Sequence, residues 1–159
     1  MLRHILVLAA LATTAIGGPA SSQQSPPASE QSKRIEAMVN NAAALVDKEG
    51  KAALAGFRMR DSQWWFGNTY LFADDMNLNV LLNPAFPNRE GTKAHGEKDA
   101  NGVMFHDEFV KVVQSRGAGW VAYMFPKPGQ TQPSQKWSYV KAITMDGIPG
   151  LIGAGFYPE

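Results

Sequence analysis

The chain has 159 residues, enough for one domain of ordinary size, and its 45% hydrophobic content supports a real core. It contains no cysteine, so a disulfide framework, a thiol nucleophile and a lipid-modified cysteine are all ruled out. With the first twenty residues and their Arg3 set aside, 14 basic and 14 acidic residues remain. Such a neutral chain argues against nucleic acid and against strong adhesion to anionic membranes.

Residues 1–20 read as a secretory signal: Arg3, then the apolar stretch Ile5 to Ala15, then the small residues around Gly18-Pro19-Ala20. The stretch is short for a transmembrane helix, which needs about 20 residues. An uncleaved anchor is the alternative. Residues 21–31 (SSQQSPPASEQ) read as a flexible polar leader. A domain is expected over 32–159.

From Lys33 to Lys48, Ile35, Met38, Ala42, Leu45 and Val46 fall at helical spacing, with Ser29 or Ser32 as candidate caps. A short second helix is expected over Lys51 to Phe57. Arg58 to Asn68 reads as a loop carrying Trp64, Trp65 and Phe66. A hairpin follows, Thr69 to Ala73 and Asn79 to Leu82, turning at Asp74-Asp75-Met76-Asn77. Asn83 to Asn101 shows no periodicity. Met104 to Ser115 reads as a helix with Phe105, Phe109, Val112 and Val113 on one side and Gly117 as its cap. Three runs rich in aromatic and β-branched residues complete the chain as strands: Gly119–Pro126, Lys136–Ile143 and Leu151–Tyr157. This is an α+β layout, helices against an antiparallel sheet.

A sheet of this kind can line a small pocket with rings and a few cationic or hydroxyl groups, which suits a small organic anion. Tyr123, Tyr139, Lys136 and Lys141 lie on neighbouring strands and offer donors to a carboxylate. Alternation puts Tyr139 and Lys141 on one face, and Trp120, Ala122 and Met124 share a face. In each case the competing reading is a solvated lysine or a half-buried sheet tyrosine. Trp64 and its neighbours could close over a ligand or pin the loop to the core. Arg58 and Arg60 could fork a carboxylate or stand in solvent.

Metal spacing is missing. His95 has Glu97 and Asp99 nearby, and His106 has Asp107 and Glu108, but no His-x-x-x-His occurs. Asp99 to Gly102 lacks a calcium ligand series and reads as a turn. No nucleophile elbow, phosphate loop or cofactor fingerprint is present, so neither an enzyme nor a cofactor is expected.

The ordered set of motifs resembles the Cache domain, the extracytoplasmic sensor module of bacterial receptors, in its single, type 2-like form. The set comprises Asn83-Pro84-x-x-Pro87, Glu90-Gly91, Asp99-x-Asn101-Gly102, then Gly119-Trp120-Val121-x-Tyr123 through Pro126-x-Pro128-Gly129. It continues with Lys136-x-Ser138-Tyr139-Val140-Lys141 and ends on Ile152-Gly153-x-Gly155-x-Tyr157. It covers about residues 32–157. Two positions depart from the pattern: Asn83 where His is expected, and Asn77 where Gly is usual.

The resemblance implies a PAS-like fold with a long N-terminal helix along the sheet. It places some of Tyr123, Tyr139 and Lys141 in a pocket and brings the tryptophan loop near it. The expected function is a free-standing periplasmic or secreted sensor domain for a small organic anion such as a short carboxylate. A separate membrane-bound signalling protein would be its partner, and it could pair as a homodimer through the long helix. Exposed positions of the Met38 or Ala43 type on a second face of that helix would instead support an accessory subunit that uses the helix as its contact surface. A ligand-free accessory subunit of an envelope complex is the alternative, and a small secreted enzyme the weaker third.

Overall fold

The computed structural model describes residues 24–159. The segment expected to act as an export signal, 1–20, lies outside them. Helix α1 spans Glu30–Glu49, starting inside the expected leader. Its start is a reciprocal capping box: the Ser29 hydroxyl accepts from the Ser32 amide at 3.0 Å, and the Ser32 hydroxyl accepts from the Ser29 amide at 2.9 Å. Pro26, just upstream, is buried. A 3₁₀ helix, Gly50–Arg58, follows, and a second, Pro87–Arg89, lies in the segment between the hairpin and helix α2 (Phe105–Arg116). Gly117 ends α2 in the left-handed conformation, its amide bonded to the Val113 carbonyl at 2.9 Å.

The strands are β1 (Trp65–Phe66), β2 (Thr69–Asp75), β3 (Val80–Leu82), β4 (Ala118–Pro126), β5 (Pro133–Met145) and β6 (Ile148–Phe156). All pairings are antiparallel, in the order β1-β2-β6-β5-β4, with β3 also on β2. β5 and β6 are longer than the apolar runs suggested, because Asp146 and Gly147 both take positive φ, 51° and 82°. That is the two-residue turn an Asp-Gly pair favours between tightly paired strands.

Each face of the sheet has its own core. On one, α1 buries Ile35, Met38, Val39, Ala42, Ala43 and Val46 against Leu71, Ala73, Trp120, Ile152, Ala154 and Phe156. Met38 and Ala43 therefore pack inward, leaving no second apolar face at those positions. On the other, α2 lays Phe105, Phe109 and Val113 over Phe72, Val121, Tyr123, Val140 and Leu151. The register keeps the two sets apart: Trp120 pairs with Tyr139 and Tyr123 with Lys136, so neighbours across the ladder share a face.

Candidate functional site

A small cavity lies on the α2 face. Alternation along β2 sends Tyr70, Phe72 and Asp74 into it; β4 sends Tyr123 and Phe125, and β5 sends Lys136. Strand β6 runs between β2 and β5 and presents Gly153 and Gly155 here. A Cβ on Gly155 would collide with Ser138 Oγ and the Trp137 carbonyl and approach Lys136 Cε to 2.9 Å. A Cβ on Gly153 would meet Phe72 Cζ at 2.6 Å and Val140 Cγ1 at 2.8 Å. The two glycines thus let the Lys136 stem and the Phe72 ring lie close over the sheet.

The roof is α2, through Phe105, His106 and Phe109, with Asn83 from the segment after β3. Phe86 seals the edge, its ring centroid 6.1 Å from Tyr70 and 5.2 Å from Phe125. The free space left inside is about 10 Å³, room for one water. An open groove of about 660 Å³ lies outside, sharing Phe105 and Phe125 with the cavity and also lined by Phe86, Arg89 and Glu97.

Lys136 is the centre of the site. It is 1% exposed, and its Nζ donates to Tyr70 Oη at 3.1 Å. The ammonium sits 4.3 Å from the Tyr70 ring centroid, 5.2 Å from Phe125 and 5.4 Å from Tyr157. Among the described residues no carboxylate lies within ion-pair range of it. Burial, and then the nearby charge of Arg89, lower its pKa to about 7. Burial raises the pKa of Tyr70 and Tyr123, so both remain hydroxyl donors. Tyr123 Oη and Ser138 Oγ are 2.9 Å apart.

A second polar group closes the other end. Arg89 makes two bonds to Glu97, and its Nη2 lies 3.2 Å from His106 Nε2. Burial opposes the Arg89 charge, but the Glu97 hydrogen bonds and charge outweigh it and raise the pKa. A guanidinium only donates, so Nε2 accepts and the ring proton sits on Nδ1. That proton goes to Asp74 Oδ2 at 2.6 Å. Among the described residues, Asp74 Oδ1 and Arg89 Nε are buried without a partner.

Two of the residues expected from the sequence, Tyr123 and Lys136, line this cavity. The others stand elsewhere. Tyr139 and Trp120 pack together on the α1 face, ring centroids 5.3 Å apart, with Trp120 Nε1 donating to Glu36 at 2.8 Å. Lys141 donates to Asn40 of α1 at 2.8 Å. Trp64 stacks edge-on against Phe57 in the α1 core, and Phe66 lies under Arg34. Arg58 forms a bidentate pair with Glu90, which raises the pKa of the arginine and lowers that of the acid. Arg60 lies over Trp65, whose ring meets Tyr70 from outside the cavity.

Asp74 is a correction to the sequence reading: it is not a turn residue but a fully buried member of β2. Its even spacing with Tyr70 and Phe72 was the available signal. Asn83, at the position where His was expected, does line the cavity. Asp99 binds backbone, taking amides of Val103 and Met124 at 2.8 and 2.7 Å. His95 pairs with Asp107 at 2.7 Å.

A buried cation facing an aromatic-walled space lies on the α2 face of a six-stranded antiparallel sheet whose other face carries the long helix α1, an α+β layout of the PAS-like kind. The family model of the Cache domain matches residues 28–159, and the chain belongs to that family. It is 30% identical over 90 residues to the methyl-accepting chemotaxis protein McpP of Pseudomonas putida. That stretch is 57% of this chain and 16% of the relative, so the chain corresponds to a small part of a whole receptor. Among solved structures, a periplasmic sensor domain of a chemotaxis protein superposes with TM-score 0.63 at 30% identity, covering 78% of this chain and 88% of that one. A Cache chemosensory domain studied for carboxylic acid recognition superposes with TM-score 0.68 at 28% identity, covering 81% and 94%. A methyl-accepting chemotaxis protein of Vibrio parahaemolyticus, at 21% identity, shares the fold with TM-score 0.65 over 80% and 88%. The chain is thus a Cache sensor domain of the kind found in chemotaxis receptors, whose relatives are sensors rather than enzymes. No helix among the described residues is long and apolar enough to cross a membrane.

Proposed function

We propose that this domain binds a short organic carboxylate in the cavity on its α2 face, with Lys136 as the cation that receives it. The observation that carries the reading is Lys136 itself: a buried ammonium that has, among the described residues, one hydrogen-bond partner and no carboxylate in range. Such a charge is costly to bury alone, and an anionic ligand would complete the pair. Tyr70 and Tyr123 supply neutral donors beside it, and Phe105 and Phe109 an apolar wall. The solved Cache domain that recognises a carboxylic acid supports the ligand class. Of the residues named from the sequence, Tyr123 and Lys136 belong to this cavity.

Binding would be reported, not catalysed: the domain works outside the cytoplasm after removal of residues 1–20, and a membrane protein receives the signal.

One feature favours the second reading, a ligand-free accessory subunit: the cavity is filled by its own side chains down to about 10 Å³. A ligand larger than one water needs the lining side chains to move apart. A thermal-shift screen against acetate, propionate, butyrate, amino acids and purines separates the two. A ligand at a hundred times its Kd adds about 2.7 kcal/mol to the folded state. A shift with short carboxylates supports the sensor; a flat screen supports the accessory subunit.

A further inference from the structure

We infer that Lys136 holds its ligand covalently: the ligand is a 2-oxo carboxylate, and its ketone carbon condenses reversibly with Nζ to form an imine. The inference rests on the proposed carboxylate site and names the bond that its lysine makes. An amine adds to a carbonyl only as the neutral base, a state that lysine reaches in a desolvated apolar pocket. Lys136 is the one buried lysine among the described residues, and it is walled by Tyr70, Phe72, Tyr123 and Phe125. No carboxylate among those residues lies within ion-pair range to hold it as the ammonium. Its pKa of about 7 leaves roughly half of the chains with free amine at neutral pH. Lysines elsewhere lack this setting: Lys33 and Lys111 pair with Glu30 and Glu108, and Lys141 donates to Asn40.

The Nζ lone pair bonds to the ketone carbon, and one proton passes from nitrogen to the ketone oxygen. The resulting hydroxyl takes a second proton from solvent and leaves as water. A protonated carbon–nitrogen double bond remains, and nothing is oxidised or reduced. Tyr70 Oη, 3.1 Å from Nζ, is placed to relay the first proton, taking the nitrogen's and giving its own. Burial raises the Tyr70 pKa, so the hydroxyl keeps its proton until that step.

The product settles the charge of the site. Positive charge stays on the imine nitrogen, and the ligand's own carboxylate stands on the adjacent carbon. The buried cation thus gains its anion through the bond itself. A saturated acid of the same length supplies the anion but no bond.

The test is reductive trapping. The protein at pH 7 is incubated with 2-oxobutyrate and cyanoborohydride, and the adducts are located by peptide mass mapping. Lys136 should be labelled at least about tenfold faster than any exposed lysine, whose amine is almost wholly protonated at that pH. Excess butyrate should slow labelling at Lys136 alone. Lys136→Met should lose the fast adduct, and Tyr70→Phe should slow it on the order of 100-fold. If either variant fails to fold, the wild-type map and the butyrate competition decide. Labelling of Lys136 no faster than that of exposed lysines, in a protein that binds butyrate by calorimetry, overturns the inference and leaves the carboxylate site standing. Fast labelling of Lys136 without butyrate binding or competition supports the amine chemistry and counts against the carboxylate site. A folded Tyr70→Phe that labels at the wild-type rate overturns the relay.

Discussion

Replacing Lys136 with methionine should make the domain more stable while abolishing carboxylate binding. The side chains are similar in length, so the stem keeps its place over Gly155. What disappears is a cation held without an anion. The fall of the lysine pKa from 10.5 to about 7 corresponds to roughly 5 kcal/mol between the charged group in water and in the cavity. The variant also loses the Tyr70 hydrogen bond and the attraction of the surrounding rings, together about 2–3 kcal/mol. A net gain of about 2 kcal/mol remains, which for a domain of this size raises Tm by roughly 6–8 °C.

The pH dependence identifies the cause. A base whose folded pKa is lowered binds fewer protons in the native state between about 7 and 10.5. Unfolding takes up a proton there, so wild-type stability rises with pH through that window, by about 1.4 kcal/mol per unit. The advantage of Lys136→Met is therefore full below pH 7 and gone by about pH 9. Thermal unfolding of both proteins at pH 6, 7.5 and 9 measures it. A variant less stable than wild type at pH 6, or a difference that does not change with pH, would refute the reasoning.

Carboxylate affinity in the wild type should fall about tenfold per pH unit above 7, because only the ammonium form of Lys136 receives the anion. Binding at pH 8 should take up close to one proton, seen as a heat that changes with the ionisation enthalpy of the buffer. Gly155→Ala should cost about 1–3 kcal/mol in denaturant unfolding, since the new methyl meets Ser138, the Trp137 carbonyl and the Lys136 stem; Gly153→Val should cost more. A neutral Gly155→Ala would mean that β6 has slack beneath the cavity. Lys141→Ala and Tyr139→Phe should leave carboxylate affinity within twofold, because both side chains lie on the α1 face; a tenfold loss in either would move the site to that face.

The fold was legible where periodicity was strong. Ile35, Met38, Ala42 and Val46 marked α1, Phe105, Phe109 and Val113 marked α2, and the aromatic runs marked β4 to β6. The limits of β5 and β6 were missed because their ends carry Pro133, Gln135 and Pro149, which have no strand signature. The site was harder to read because it depends on which face each residue takes. Lys136 and Lys141 look alike in sequence, but five residues apart on a strand they face opposite ways. One enters the cavity and the other reaches Asn40. Asp74 was obscured by its neighbour: Asp75 does bind the turn, taking the Asn77 and Asn79 amides at 2.9 Å, and Asp74 was read with it. His106 and Arg89 gave no local signal, since their partners Asp74 and Glu97 come together only in the folded chain.

The central claim is that Lys136 is the anion receptor of a Cache binding site. Its most direct test is calorimetric titration of wild type and Lys136→Met with the tightest-binding short carboxylate, at pH 6.5, with folding of the variant verified by its unfolding curve. Saturable one-to-one binding to wild type and none to a folded, more stable variant is the predicted result. Retained affinity in the variant would contradict the account.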